Sequence, residues 1–183
     1  MKDEHVLIRR IAQEDRDAFR ELYNRYYKAV YLYAYRLLGD EAEDVANEVM
    51  MEVWKGAGRF KGLSQVSTWI LGITANKIRR KFKKGSKLVG EDELQRMLNG
   101  DTPPDEVLHC SQLKEKFKEA LQMLSPEHRE VLHLAYYQGL SIKEISEIVG
   151  CPPNTVKTRM FYARQRLRAI LEQMGVGREA IWR

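Results

Sequence analysis

The sequence predicts an all-α chain built as two small helical domains joined by a flexible linker. Three observations lead there. Apolar residues recur at spacings of three and four along most of the chain, which is the period of a helix face. Alternating β-branched runs are few. Between Gly85 and Cys110 the periodicity stops, and Gly85, Gly90, Gly100 and Pro103-Pro104 interrupt an acidic stretch without a long apolar face. A structureless loop of that length is unusual inside one domain. The expected organisation is therefore 1–84, a linker over 85–110, a second domain over 111–173 and a tail over 174–183.

The helices follow in order. A first short one is expected over about Glu4 to Gln13, with Val6, Leu7 and Ile11 inward. Asp15 can cap a longer helix reaching Leu38, whose inner face holds Phe19, Leu22, Tyr26, Val30 and Tyr33. Gly39 supplies its stop. Asp40 can cap a third helix, with Glu41 and Glu43 in the first turn where the helix dipole favours acids. That helix buries Ala42, Val45, Val49 and Val53 and ends near Gly56 and Gly58. After a loop with Gly62 and Ser64, a fourth helix runs from about Val66 to Lys83. Leu94, Met97 and Leu98 can form a short helix within the linker.

In the second domain, Leu113, Phe117, Ala120, Leu121 and Leu124 share one helix side. Ser125-Pro126 reads as an N-cap followed by proline at the first helical position, opening a helix with Val131, Leu132 and Ala135 that stops at Gly139. Ser141 to Glu144 is a capping box for a short helix with Ile142, Ile145 and Ile148, stopped by Gly150. After Cys151-Pro152-Pro153, Asn154 or Thr155 is expected to cap a last long helix with the stripe Val156, Met160, Ala163, Leu167 and Ile170.

Composition narrows the function classes. The 183 residues carry 31 Lys+Arg against 26 Asp+Glu, a net charge of +5, with 44% apolar residues. That is too apolar for wholesale disorder. No stretch reaches the roughly 20 apolar residues of a spanning helix, and no signal-peptide core follows the acidic Met1 to Glu4. Cys110 and Cys151 form no CxxC, and His5, His109, His128 and His133 form no HExxH. No phosphate-binding glycine loop or nucleophile elbow is present. The expectation is a cytoplasmic protein, not an enzyme, with no cofactor, metal or small-molecule substrate.

The charge is segregated. Asp40 to Glu52 holds six acids and no base, Lys77 to Lys87 seven bases and no acid, and Lys157 to Arg168 five bases and no acid. Such runs are often solvated helix faces, but two basic blocks divided by an acidic connector suggest two domains sharing one polyanionic partner.

A short helix, a tight turn and a longer basic helix describe a helix-turn-helix, whose second helix enters the major groove. At 100° per residue, the face opposite Val156 and Met160 holds Lys157, Thr158, Phe161, Tyr162, Gln165 and Arg168, with Arg159 on its flank. Lys and Arg can meet phosphates or guanine edges, and Thr and Phe a thymine methyl. The alternative is a plain helical hairpin with a basic surface. In the fourth helix of the first domain, Asn76, Arg79, Arg80 and Lys83 fall within an arc of roughly 100°. There the bases can meet phosphates and the amide a base edge. Phe60, in a glycine-bearing loop, reads equally as a ring that stacks on unpaired bases and as a packing residue. Trp69 falls on the apolar flank and reads as core.

Taken together, Asp15 to Phe19, Glu43-Asp44-Val45-Ala46-Asn47-Glu48, Phe60-Lys61-Gly62, Ser67-Thr68-Trp69-Ile70, Ile73-Thr74-Ala75-Asn76, Leu140-Ser141 to Gly150 and Thr155-Val156-Lys157-Thr158-Arg159 resemble an extracytoplasmic-function (ECF) sigma factor of the sigma-70 family, group 4. The order of these motifs carries the resemblance, which covers both domains. It implies a bacterial transcription initiation factor whose region 2 opens the −10 element and whose region 4 binds the −35 element as duplex. It implies core RNA polymerase as partner, through the β′ clamp and β flap, and an anti-sigma factor, membrane-anchored in many members. By position it assigns Asp44, Asn47 and Glu48 to polymerase. Phe60, Asn76, Arg79, Arg80, Lys83 and Lys84 are assigned to −10 DNA, and Thr155, Lys157, Thr158, Arg159, Phe161, Tyr162 and Arg164 to −35 DNA. Three positions depart from the family: Asn47 where Gln is usual, Tyr162 where Arg is common, and Pro153-Asn154 before Thr155 in place of a small residue and Gly. The competing reading is a helix-turn-helix regulator acting without polymerase, which leaves the acidic run and Asn76 without a use.

Overall fold

The computed structural model describes residues 2–83, 113 and 115–176. The expected linker, with its short helix, Cys110, Lys84 and the tail beyond 176 lie outside these residues. The described residues are helical apart from turns and short connections. Cα proximity divides the chain into two compact units, Met1–Gly90 with Lys143–Cys151, and Glu91–Ile142 with Pro152–Arg183.

The first unit opens with α1 (Lys2–Ile11) and α2 (Arg16–Leu38). Asp15 is the N-cap of α2: its Oδ1 accepts from the Asp17 and Ala18 amides at 3.0 Å each. The Ala18 amide and the Arg10 guanidinium hold its carboxyl below the ordinary value. Leu7, Ile8 and Ile11 form the buried side of α1. Val6, expected inward, is instead 40% exposed, because it lies a further 100° round the helix from Leu7. On α2, Leu22, Val30 and Tyr33 are buried as expected, while Phe19 and Tyr26 are half-buried. Gly39 closes α2 at φ 64°, a left-handed conformation that glycine adopts without a Cβ clash.

The next turn departs from the expectation. Gly39–Glu41 forms a 3-10 turn, and α3 (Ala42–Gly56) starts after Glu41, which makes no side-chain cap bond. Asp40 is spent inside that turn and is not the cap. The buried stripe is the expected one: Ala42, Val45, Val49 and Val53 each have at most 1% exposure. A second 3-10 turn (Ala57–Arg59) leads towards α4 (Val66–Lys83), which buries Ile70, Leu71, Ala75 and Ile78. Buried Thr74 returns its hydroxyl to the Ile70 carbonyl at 2.9 Å, which removes the cost of an unpaired donor.

One of the aromatic contacts joins α2 to α3: Phe19 meets Trp54 edge-on at 5.0 Å. Along α2 itself, Tyr23 stacks on Tyr27 at 4.6 Å. Burial first, and Tyr23 next, push the Tyr27 hydroxyl up to about 12.

In the second unit, a helix over 115–122 (α5) is followed by α6 (Pro126–Tyr136), capped by Ser125 with proline in its first turn. Ala120, Leu124, Val131, Leu132 and Leu134 are buried. Arg129 is also buried, and its guanidinium donates to the carbonyls of Leu121 at 3.0 Å and Leu124 at 3.2 Å. It closes the end of α5 that the helix itself cannot satisfy. Next in the chain is α7 (Ile142–Val149), which from Lys143 on is grouped with the first unit, and α8 (Pro153–Gln173) belongs to the second. Val156, Ala163 and Ile170 of the expected α8 stripe are buried, and Met160 and Leu167 are half-buried.

The start of α8 is another correction. Neither Asn154 nor Thr155 caps it; both lie inside the first turn, and the N-cap is Pro152, without a side-chain bond. Pro153 has its φ preset and no amide to satisfy, so the helix starts on it directly. Ser146 Oγ donates to the Cys151 carbonyl at 2.6 Å and steadies the turn between α7 and α8.

Candidate functional site

On α3 the residues between the buried valines face outward. Asp44, Asn47 and Glu48 are exposed, and so is Met51, at 52%. Together with Glu52, Lys55, Arg59, Lys77 and Lys81 they line an open cleft between α3 and α4. Two lysines cross that cleft. Lys77 Nζ lies 3.1 Å from Glu48 Oε2 and 3.1 Å from Glu52 Oε2, and Lys81 Nζ lies 2.8 Å from Glu41 Oε2. The pairings run in opposite directions along the two helices, so α3 and α4 are antiparallel. Hydrogen bonding to Glu41 raises the Lys81 pKa above its ordinary value, against a smaller opposing effect of burial.

The remaining polar residues of α4 lie on another side of the helix. Asn76, Arg80 and Lys83 are exposed. Arg80 and Lys83 have no ion-pair partner among the described residues. Arg79 belongs to the same arc but is committed elsewhere. Its Nη1 donates to the Val149 carbonyl at 2.7 Å and its Nη2 to the Ile148 carbonyl at 2.9 Å, within the first unit. A second Nη2 bond reaches Asn76 Oδ1 at 3.2 Å. Phe60 is half-buried, with its ring centroid 4.9 Å from Trp69 and 5.4 Å from His5. The loop after it reaches solvent at Leu63, 90% exposed, past Gly62 at φ 69°.

On α8, Lys157, Thr158, Phe161, Tyr162 and Arg164 are exposed on the side away from Val156 and Ala163, while Thr155 and Arg159 are half-buried at its edge. Phe161 and Tyr162 meet edge-on at 5.5 Å, each about half exposed. Thr158 donates its hydroxyl to the Asn154 carbonyl at 2.9 Å, so the methyl group and a lone pair remain for another molecule. Arg164 Nη1 is 3.4 Å from the Tyr136 hydroxyl. Lys157 and Arg164 have no carboxylate partner among the described residues.

Three of the assigned groups are thus assembled as open faces: Asp44–Asn47–Glu48, Asn76–Arg80–Lys83 and the α8 face. The paired residues Glu41, Glu52, Lys77 and Lys81 were not singled out from the sequence. Their signal was present: acids at 41, 44, 48 and 52 and bases at 77 and 81 have spacings of three and four, those of two facing helix stripes.

Two family models match the chain, sigma-70 region 2 over residues 22–88 and sigma-70 region 4 over 114–167. The ECF RNA polymerase sigma factor SigW of Bacillus subtilis is 31% identical over 91% of this chain and 96% of its own. The ECF RNA polymerase sigma factor SigL of Mycobacterium tuberculosis is 32% identical over 87% of this chain and 92% of its own. The sigma factor RpoE of Bartonella quintana, solved in complex with the anti-sigma factor NepR, superposes with a TM-score of 0.64 at 25% identity, covering 84% of this chain and 96% of that one.

Proposed function

The chain belongs to the ECF RNA polymerase sigma factors, and from that premise we propose how its surfaces divide the work of promoter recognition. The domain limits of this reading are 1–84 for region 2, 85–110 for the linker, 111–173 for region 4 and 174–183 for a tail. Asp44, Asn47 and Glu48 dock on the β′ clamp of core polymerase. Asn76 reads an unpaired −10 base, and Arg80, Lys83 and Lys84 hold the phosphates around it. Arg79 joins them only by giving up its bonds to the Ile148 and Val149 carbonyls. Phe60, held between Trp69 and His5, supports the −10 loop as a wall.

Region 4 reads the −35 duplex with Lys157, Thr158, Phe161 and Tyr162, flanked by Thr155, Arg159 and Arg164, and meets the β flap. Tyr162 offers a ring and a hydroxyl where the family commonly places a cation. This favours base-edge or sugar contact over phosphate affinity. An anti-sigma factor covers these surfaces when the protein is idle; the complex of RpoE with NepR supports that reading. The protein works in the cytoplasm, on the nucleoid when active, and a membrane-anchored anti-sigma factor would hold it at the membrane. Among the described residues no helix is long and apolar enough to cross a membrane itself. No catalytic step is assigned to the chain; polymerase supplies the chemistry.

The observation that carries the proposal is the segregation on one unit of an open acidic face on α3 from an open amide-and-base face on α4. Run-off transcription with core polymerase on a promoter library tests it. The expected result is discrete transcripts sharing −10 and −35 sequences, only when the chain is added. Specific duplex binding without any association with polymerase would point instead to a helix-turn-helix regulator.

A further inference from the structure

The basic run that reads as one patch in the sequence is divided by the fold. Asn76, Arg80 and Lys83 face solvent, whereas Lys77 turns to the carboxylates of α3 and Lys81 to Glu41 in the turn before it. We propose that Lys77 is a positioning residue for polymerase docking: its ammonium, shared between Glu48 and Glu52, fixes the Glu48 carboxylate on the docking face. This rests on the reading of Asp44, Asn47 and Glu48 as the polymerase-facing residues.

Geometry supports the role. Glu48 and Glu52 are one helical turn apart, where like charges repel and push both side chains into solvent. Lys77 bonds one oxygen of each, Oε2 in both cases, at 3.1 Å. The second oxygen of Glu48 is left for a donor on the partner. Lys77 is 20% exposed while the two carboxylates are 51% and 45% exposed. The ammonium therefore bonds from the α4 side and leaves the outer approach to Glu48 open. Burial acts to lower the Lys77 pKa, but the hydrogen bonds to Glu48 and Glu52 outweigh it and raise the value above that of an ordinary lysine. The lysine is charged throughout the physiological range.

Exposed ion pairs add little to stability. What this one supplies is order: a glutamate already held in one geometry loses less freedom when a partner binds it. Arg25, which pairs with Glu4 at 3.3 Å and with Glu21 at 3.0 Å, also bridges two carboxylates, is not among the cleft-lining residues, and serves as a control.

The test is core polymerase binding by full-length variants. Lys77→Met should weaken binding about three- to tenfold, and Lys77→Arg, which can also bridge two carboxylates, should restore it to within about twofold. In a Glu48→Gln background, Lys77→Met should cause no further loss. Arg25→Met should leave polymerase affinity within about twofold of the parent. The inference falls if Lys77→Met leaves binding unchanged or tightens it, or if its cost persists in full beside Glu48→Gln. It also falls if Lys77→Met lowers the salt slope of promoter binding by about one, which would make Lys77 a phosphate contact. If Glu48→Gln alone has no effect on polymerase binding, the docking reading fails and takes the inference with it. If Glu48→Gln weakens binding and Lys77→Met does not, the inference alone fails.

Discussion

Helices α4 and α8 are both basic, yet they use their cations differently. On α4, Lys77 is taken by carboxylates of α3, Lys81 by Glu41 in the turn before it and Arg79 by main-chain carbonyls, and only Arg80 and Lys83 stay open. On α8, Lys157, Arg164 and Arg166 are exposed, and among the described residues only Arg168 forms an ion pair, with Glu172 one turn along at 3.1 Å. The cause is the neighbouring residues: α4 packs beside the acidic face of α3, while among the described residues the exposed bases of α8 pair with no carboxylate of another helix. A run of positive charge thus measures possible phosphate contacts only after its intramolecular partners have been subtracted.

The largest expected effect comes from reversing the acidic face. Asp44→Lys with Glu48→Lys should cost about 2–4 kcal/mol of polymerase affinity, since opposed charges at an interface are replaced by like ones. The fold should persist, because both side chains point away from Val45, Val49 and Val53. Binding to core polymerase and a thermal melt of the same sample separate these outcomes. An unchanged affinity would break the distinction between an acidic docking face and a mere counterweight to Lys77.

Arg129 sharpens the comparison as a third kind of cation, buried and bonded to carbonyls. Burial lowers its pKa from the ordinary arginine value. Arg129→Met should destabilise the protein by about 2–3 kcal/mol, because the α5 carbonyls lose their donor. Denaturant unfolding measures it. A loss below about 0.5 kcal/mol would mean that water replaces the guanidinium.

Asn76→Ala tests the amide against its basic neighbours. It should relax preference at one −10 position by about 1–3 kcal/mol while leaving the salt slope nearly unchanged. Transcription from single-base promoter variants reads the first quantity and salt titration the second. Equal loss on every variant would make Asn76 a support for Arg79, which its 3.2 Å bond allows.

Much of this was legible in one dimension. The limits of α2 and α4, the Asp15 and Ser125 caps and the Gly39, Gly139 and Gly150 stops follow from local rules, since a cap is decided by residues within one turn. The local rules failed where two local solutions compete. Asp40 can cap a helix or enter a 3-10 turn, and the turn won. Asn154 can cap, but the Pro152-Pro153 pair starts the helix first. The contacts of Phe60 with His5 and Trp69 were not legible, because they depend on how α1 meets the loop, which no spacing encodes. The open faces of α3 and α8 were readable because exposure follows from helical period. The pairing of Lys77 and Lys81 was not, because it depends on the register between two helices.

The central claim, that the fold and not the charge run selects the DNA contacts, is tested most directly by one salt titration. Promoter binding by holoenzyme would be measured against salt for the parent, Lys77→Met, Lys83→Met and Lys157→Met. The slope should fall by about one unit for Lys83→Met and for Lys157→Met and stay at the parent value for Lys77→Met. Equal falls for Lys77→Met and Lys83→Met would contradict it.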